Sequence, residues 1–285
     1  MGDLREFVAG GLGGVVGITV CQPLDMIKVR LQSSGKVFGR QRSNIQIMAS
    51  IAKKEALSSL WKGMSVPLYS NALQNAFVFH AYSQAVKALA SGERESGSPP
   101  LGTVFASGCI AGAAQALITT PVEHVKIRSQ MQRAKPGSVG YVTPRTIVAH
   151  LARRQGFRGV FSGLAATVLR DTPSYGVYFF LYDFTRELMT PNSRQTGSDG
   201  PLHHLLAGGV AGVGAWASIY PVDVVKTRIQ ASELGTKRSF LECAREIHRE
   251  NGVSGFGRGF SSCLLRAFMM NSVIFAIYEF TLKLL

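Results

Sequence analysis

The stretch Pro23-Leu24-Asp25-Met26-Ile27-Lys28-Val29-Arg30-Leu31-Gln32 occurs in this chain three times. Its second copy is Pro121-Val122-Glu123-His124-Val125-Lys126-Ile127-Arg128-Ser129-Gln130. The third is Pro221-Val222-Asp223-Val224-Val225-Lys226-Thr227-Arg228-Ile229-Gln230. The shared pattern is P-x-[DE]-x-x-K-x-R-x-Q, recurring at about 100 residues. Two further marks keep the same register. Glycine pairs precede each proline: Gly10/Gly14, Gly108/Gly112 and Gly208/Gly212. Each proline is followed by a third mark: Trp61-Lys62-Gly63, Phe161-Ser162-Gly163 and Gly257-Arg258-Gly259. Three marks in register make the chain a triplication, with repeats at 1–97, 98–198 and 199–285.

The charge map follows the repeat. The 285 residues carry 31 Lys+Arg against 17 Asp+Glu, a net charge of +14. Only 17% are charged and 46% are hydrophobic, drier than the roughly 25% charged of an average soluble domain. Eight basic residues lie in 28–62, eight in 126–158 and seven in 226–258. Between these blocks, residues 7–24, 63–86, 96–122 and 200–222 hold no Lys, Arg, Asp or Glu. Residues 159–182 and 259–278 are similar, apart from Arg170, Asp171 and Arg266 inside them. Each stretch approaches the roughly 20 residues of a bilayer helix. Six spans follow, with basic loops after the first, third and fifth. The positive-inside rule puts those loops on one face and both termini on the other. A nucleic-acid binder would instead spread its basic residues over helix faces.

Other classes are excluded by absence. The four cysteines form no CxxC pair and no metal spacing. His203-His204 is an adjacent pair, not a ligand spacing, so no metal is expected. No nucleophile–base set, phosphate loop or dinucleotide fingerprint is present, so the chain is not read as an enzyme. No signal or Arg-rich transit peptide is visible at the start.

The triple motif resembles that of the mitochondrial carrier family, over the whole chain. The resemblance implies an all-α membrane protein: a barrel of six transmembrane helices in three pseudo-three-fold repeats. Short matrix-side helices would lie near 44–55, 143–154 and 240–249. The implied function is a solute carrier of the inner mitochondrial membrane, monomeric, with both termini on the intermembrane-space side. Cardiolipin is expected as a bound lipid at the Trp61-Lys62-Gly63 type marks, and no cofactor is expected. The acid-glycine mark of the family is loosened here: Glu55-Ala56, Gln155-Gly156 and Asn251-Gly252.

The resemblance also assigns two gates. On the matrix side, Asp25–Lys126, Glu123–Lys226 and Asp223–Lys28 would pair between helices, braced by Gln32, Gln130 and Gln230. Unpaired charge is costly in a low-dielectric setting; the alternative is that these groups snorkel from helix ends. The cytoplasmic gate, [FY]-[DE]-x-x-[KR], is worn. Only Tyr182-Asp183-Phe184-Thr185-Arg186 is complete; Tyr278-Glu279 lacks the base, and Tyr82-Ser83 lacks both charges. This predicts a bias toward the cytoplasm-open state. The glycine pairs place small residues on one helix face, permitting close approach.

Arg170 and Arg266 each stand seven residues beyond a marking glycine, and Ser70 holds the equivalent place in the first repeat. Ionisable groups at that depth are functional candidates. Arginine can grip a carboxylate with two parallel hydrogen bonds. Asp171 either balances an arginine or binds a substrate cation. The motif Leu169-Arg170-Asp171-Thr172-Pro173 and the segment Trp216-Ala217-Ser218-Ile219-Tyr220-Pro221 resemble the carnitine/acylcarnitine and ornithine/basic amino-acid branch. The expected substrate is therefore a zwitterionic metabolite of amino acid, carnitine or acylcarnitine type, moved by alternating access. Its carboxylate would meet Arg170 and Arg266 and its cation Asp171, with Ser70, Tyr69, Asn71, Gln74 and Trp216 shaping the rest. Trp216 offers either a π face to a cation or packing between helices. Gln74 is neutral, which disfavours a strongly dicationic substrate. The alternative is a non-transporting or proton-leak member of the same fold.

Overall fold

In the computed structural model, residues 2–33, 44–90, 99–189, 201–231 and 239–284 are described. Every regular element among them is helical. They are α1 (Gly2–Ser33), α2 (Asn44–Glu55), α3 (Ser65–Leu89), α4 (Leu101–Met131), α5 (Pro144–Val160), α6 (Leu164–Met189), α7 (Pro201–Ala231), α8 (Phe240–Asn251) and α9 (Phe260–Leu284). Single 3-10 turns, Leu57–Trp61 and Val253–Gly257, lead into α3 and α9. Two stretches, Gly11–Ser33 and all of α4, are long and apolar enough to cross a membrane by composition alone.

The repeat marks have a conformational cause. Gly63, Gly163 and Gly259 all sit at positive φ (74°, 85° and 80°), each just before a long even-numbered span. A second set lies at the loosened mark. Gly156 (φ 63°, ψ −159°) breaks α5, and Gly252 (φ 62°, ψ −158°) ends α8. The first repeat puts Ala56 in the same place, at φ 99° and ψ 154°. This region belongs essentially to glycine and costs a side-chain-bearing residue about 1–3 kcal/mol. Ala56→Gly is therefore expected to stabilise the protein by about 1 kcal/mol, read as a higher unfolding temperature in detergent. An unchanged or lower temperature contradicts this.

The short helices form where expected and for readable reasons. In α5, Pro144 occupies the first helical position, where its missing N–H costs nothing, and Thr143 Oγ1 accepts from the Thr146 N–H at 3.4 Å. In α8, Glu242 Oε2 accepts from the Ser239 N–H at 3.0 Å, half of a capping box.

The chain divides into two compact units. One comprises Met1–Ser70, Val122–Val160 and Thr227–Leu285; the other comprises Asn71–Pro121 and Phe161–Lys226. In the first unit, α1 packs along α9, and Gly13 and Gly17 sit against Ile274 and Met270. Beneath α1, Leu24, Met26 and Ile27 form a core with Ile47, Ile51 and Leu60. Its second-repeat counterpart is Val125 with Ile147 and Leu151. Each such fully buried side chain contributes about 1.5–3 kcal/mol.

In the second unit, α4 lies tightly on α6. A methyl at Gly112 would stand 2.3 Å from the Asp171 carbonyl oxygen, and one at Gly108 would stand 2.6 Å from that of Tyr175. The glycine-pair expectation is met here but not elsewhere among the described residues. Gly14, Gly208 and Gly212 face open space, while Gly13, Gly17 and Gly214 make the close contacts. One residue turns a helix face by about 100°, so the pair marks the helix without fixing its buried face. Further along α6, Tyr82 stacks on Phe179 at 3.9 Å, and Phe79 meets the same ring edge-on.

The burial pattern is inverted relative to a water-soluble protein. Lys226, Gln22, Gln130, Gln230 and His124 are among the largest fully buried side chains. Leu12, Val15, Phe105, Leu117, Val210, Val213 and Phe268 face outward. Polar groups inside and apolar groups outside suit a surrounding of lipid.

Candidate functional site

In the first unit, Lys126 Nζ donates to Asp25 Oδ2 at 2.6 Å, joining α4 to α1 as the matrix-gate expectation requires. A second cation is present: Arg266 Nε on α9 lies 3.0 Å from Asp25 Oδ1. One candidate gate acid is thus shared by a gate lysine and a candidate substrate arginine. Lys28 is buried and Glu123 half-buried in this unit. Lys226 and Asp223 are buried in the other. The remaining two expected pairs each take one residue from either unit.

Two of the three glutamines expected to brace the pairs show no such bond. The side-chain amides of Gln130 and Gln230 are fully buried and make no hydrogen bond among the described residues. Gln130 is instead used through its backbone, as described below.

In the second unit, Arg170 is nearly buried on α6. Its Nε donates to Asp171 Oδ1 at 2.5 Å, and its Nη1 donates to Asp223 Oδ1 on α7 at 3.2 Å. The Arg170–Asp171 ion pair foreseen as an alternative therefore forms, and a candidate gate acid joins it. Gln74 Oε1 accepts from Thr119 Oγ1 at 3.3 Å. Asn71 and Trp216 are half-buried in this unit; in the first unit Ser70 is half-buried and Tyr69 is 87% exposed.

Each unit therefore shows one motif: an arginine from an even-numbered span holds an aspartate of the triple motif. Any further carboxylate brought to Arg170 or Arg266 would have to compete with Asp223 or Asp25.

At the residues expected for the cytoplasmic gate, Asp183 and Arg186 pair within α6 at 3.9 Å. Tyr182 Oη lies 2.7 Å from His204 Nδ1 on α7, and Arg186 stands over the Tyr182 ring. The Glu279 side chain lies outside the described residues.

A third cluster had a signal in the repeat marks but no assigned partner. Arg30 grips Glu55 with both Nη atoms, Nη2 to Oε2 at 2.8 Å. Lys62 Nζ donates to Glu55 Oε2 at 2.7 Å and to the Gln132 carbonyl at 3.0 Å. Arg30 Nε also donates to the Gln130 carbonyl at 3.2 Å. These cations satisfy carbonyls at the C-terminal end of α4, where a helix favours positive charge. Gln22 and Trp61 add bonds from Gln22 Nε2 to the Lys62 carbonyl and from Trp61 Nε1 to the Thr19 carbonyl, both 2.9 Å. Burial alone would raise the Glu55 pKa, but its bonds to Arg30 and Lys62 outweigh that and hold it below the usual range.

The other repeats solve the same problem differently. Arg228 pairs with Glu250 at 2.8 Å and Glu246 at 3.4 Å, the acid having moved one place from Asn251. Arg258 instead donates to Asn251 Oδ1. Arg128 Nε donates to His124 Nε2 at 2.8 Å. Among the described residues no group of His, Cys, Asp and Glu is arranged to hold a metal ion.

The family model for mitochondrial carrier proteins matches residues 3–93, 97–193 and 197–285. The chain belongs to the mitochondrial carrier family. Members of this family are transporters, not enzymes. The carrier is 41% identical to a mitochondrial arginine transporter, BAC2, of Arabidopsis thaliana, over 99% of this chain and 91% of that protein. It is 40% identical to a mitochondrial basic amino acids transporter of Bos taurus, over 95% and 89%. Solute carrier family 25 member 45 of Homo sapiens is 35% identical over 98% of both chains.

Proposed function

We propose that this carrier moves a zwitterionic amino acid with a cationic side chain across the inner mitochondrial membrane. Transport proceeds by alternating access through a central site. The observation that carries the reading is the buried cluster of Arg170, Asp171 and Asp223, which presents a donor fork and carboxylates at one level of the span. In this reading Arg170 and Arg266 receive the substrate carboxylate and Asp171 its cation. Asn71, Gln74, Ser70 and Trp216 set shape. Asp25–Lys126, Glu123–Lys226 and Asp223–Lys28 close the matrix side, and Asp183, Arg186 and Glu279 belong to the cytoplasmic gate. The names of the relatives support the basic amino-acid class within that reading. Gln74, neutral and bonded to Thr119, leaves Asp171 as the counter-charge.

The same proposal has the basic loops and the marks near Lys62 facing the matrix, where anionic cardiolipin headgroups suit them. The termini face the intermembrane space. The three repeats act as one monomer.

Reconstitution of the purified carrier into liposomes tests the reading. Labelled arginine, lysine or ornithine is expected to enter saturably, faster when the liposomes are preloaded with a basic amino acid. Entry of carnitine or acylcarnitine without these would move the chain to that branch. Proton leak with no solute uptake would establish the leak alternative.

A further inference from the structure

The interior of the second unit holds a polar cluster beyond the expected substrate residues. Gln115 on α4 is only 2% exposed. Its Nε2 donates to Tyr175 Oη at 3.1 Å. Its Oε1 is buried and accepts no hydrogen bond among the described residues. Asp171 stands one turn before Tyr175 on the same face of α6. Asp171 Oδ1 takes the Arg170 bond, while Oδ2 is likewise buried and without one. Gly112, three residues before Gln115, backs onto both: a methyl there would lie 2.3 Å from the Asp171 carbonyl and 3.1 Å from the Tyr175 ring. One turn further along α4, Thr119 holds Gln74.

Two buried acceptors without donors are unfavourable, the carboxylate more so than the neutral amide. Both atoms only accept, so the group that completes them must bring hydrogen-bond donors, and beside a carboxylate a cationic donor is favoured. A guanidinium brings five in a plane and an ammonium three, and both bring the charge that Asp171 lacks on its second oxygen. A neutral isostere of guanidinium replaces donors with a carbonyl oxygen and would set acceptor against acceptor.

We infer that Gln115 and Tyr175, together with Asp171, form the cation-recognising end of the substrate site. They set the preference for a positively charged side chain over its neutral isostere. The inference rests on the amino-acid reading above. It adds Gln115, from the third span, and Tyr175 to that site.

The test uses the full carrier in liposomes, with arginine and its neutral isostere citrulline as probes. Gln115→Leu removes the free acceptor and is expected to raise the half-saturation concentration for arginine about tenfold. That for citrulline should move by less than about twofold. Tyr175→Phe leaves the Gln115 donor without an acceptor and should act in the same direction. Gln115→Glu keeps the size, adds charge and is expected to widen the preference for arginine. It carries the test if the leucine variant does not fold. Equal changes for both probes, the signature of a packing role, overturn the inference, as do unchanged ratios. If the wild-type carrier takes up arginine and the ratio does not move, this inference alone fails. If it takes up citrulline or carnitine but not arginine, the amino-acid reading fails with it.

Discussion

Arg170→Lys is expected to lower substrate uptake in liposomes by about 100-fold or more. The lysine keeps the charge but loses the fork. In the structure one guanidinium reaches Asp171 through Nε and Asp223 through Nη1, from adjacent nitrogens in a fixed plane. A single ammonium on a flexible stem cannot hold both carboxylates and still present donors to a substrate. Both aspartates are almost fully buried. Leaving Asp171 without its partner is destabilising by about 3–5 kcal/mol, and two factors of ten in affinity require only about 2.8 kcal/mol. Arg170→Gln should be worse, because the charge itself is lost. Uptake by the lysine variant close to wild type would mean that charge alone suffices and the shared-fork account is wrong. The same logic applied to Arg266 predicts a smaller loss, since Asp25 keeps Lys126.

Glu55→Gln is expected to destabilise the carrier by about 3–5 kcal/mol. Glutamine keeps the shape but leaves Arg30 and Lys62 buried against each other without a counter-charge. Thermal unfolding in detergent reads the effect, and a shift below about 1 kcal/mol would mean that the helix-end carbonyls alone stabilise the two cations. The pH dependence has a definite sign. Burial raises the Glu55 pKa, Arg30 and Lys62 lower it further, and the net position is below the ordinary 4.5. A folded-state pKa below the unfolded one contributes stability that is fully present above the unfolded value. That contribution is lost as pH falls through the folded value. The wild-type unfolding temperature should therefore carry a component that is flat between about pH 5 and 7 and declines below. The Glu55→Gln variant should lack that component.

The fold was legible because its signals are local. Charge-free stretches, prolines and marking glycines recur at a fixed interval, and each reports on its own few residues. Even the loosened mark kept its meaning: Ala56 adopts the backbone geometry of Gly156 and Gly252 although its side chain opposes it. Candidate charges were legible too, because an ionisable residue inside an apolar span stands out whatever it touches. Their partners were not. Arg228 takes Glu250, one place before the Asn251 of the loosened mark, and Arg30 takes backbone carbonyls that no motif displays.

By itself, then, the sequence determined the triplication, the helical spans, the separation of basic loops from apolar spans, and the depth at which Arg170, Asp171 and Arg266 lie. Only the tertiary structure decided that Asp25 is shared by Lys126 and Arg266, that Asp223 belongs to Arg170, and that Gln115 reaches Tyr175. The reason is geometric. Periodicity fixes where a residue sits along its own helix, but partners are chosen by the rotation and register of helices against each other. Those are set by close contacts such as Gly112 on Asp171 and Gly17 on Met270, which join residues far apart in the chain.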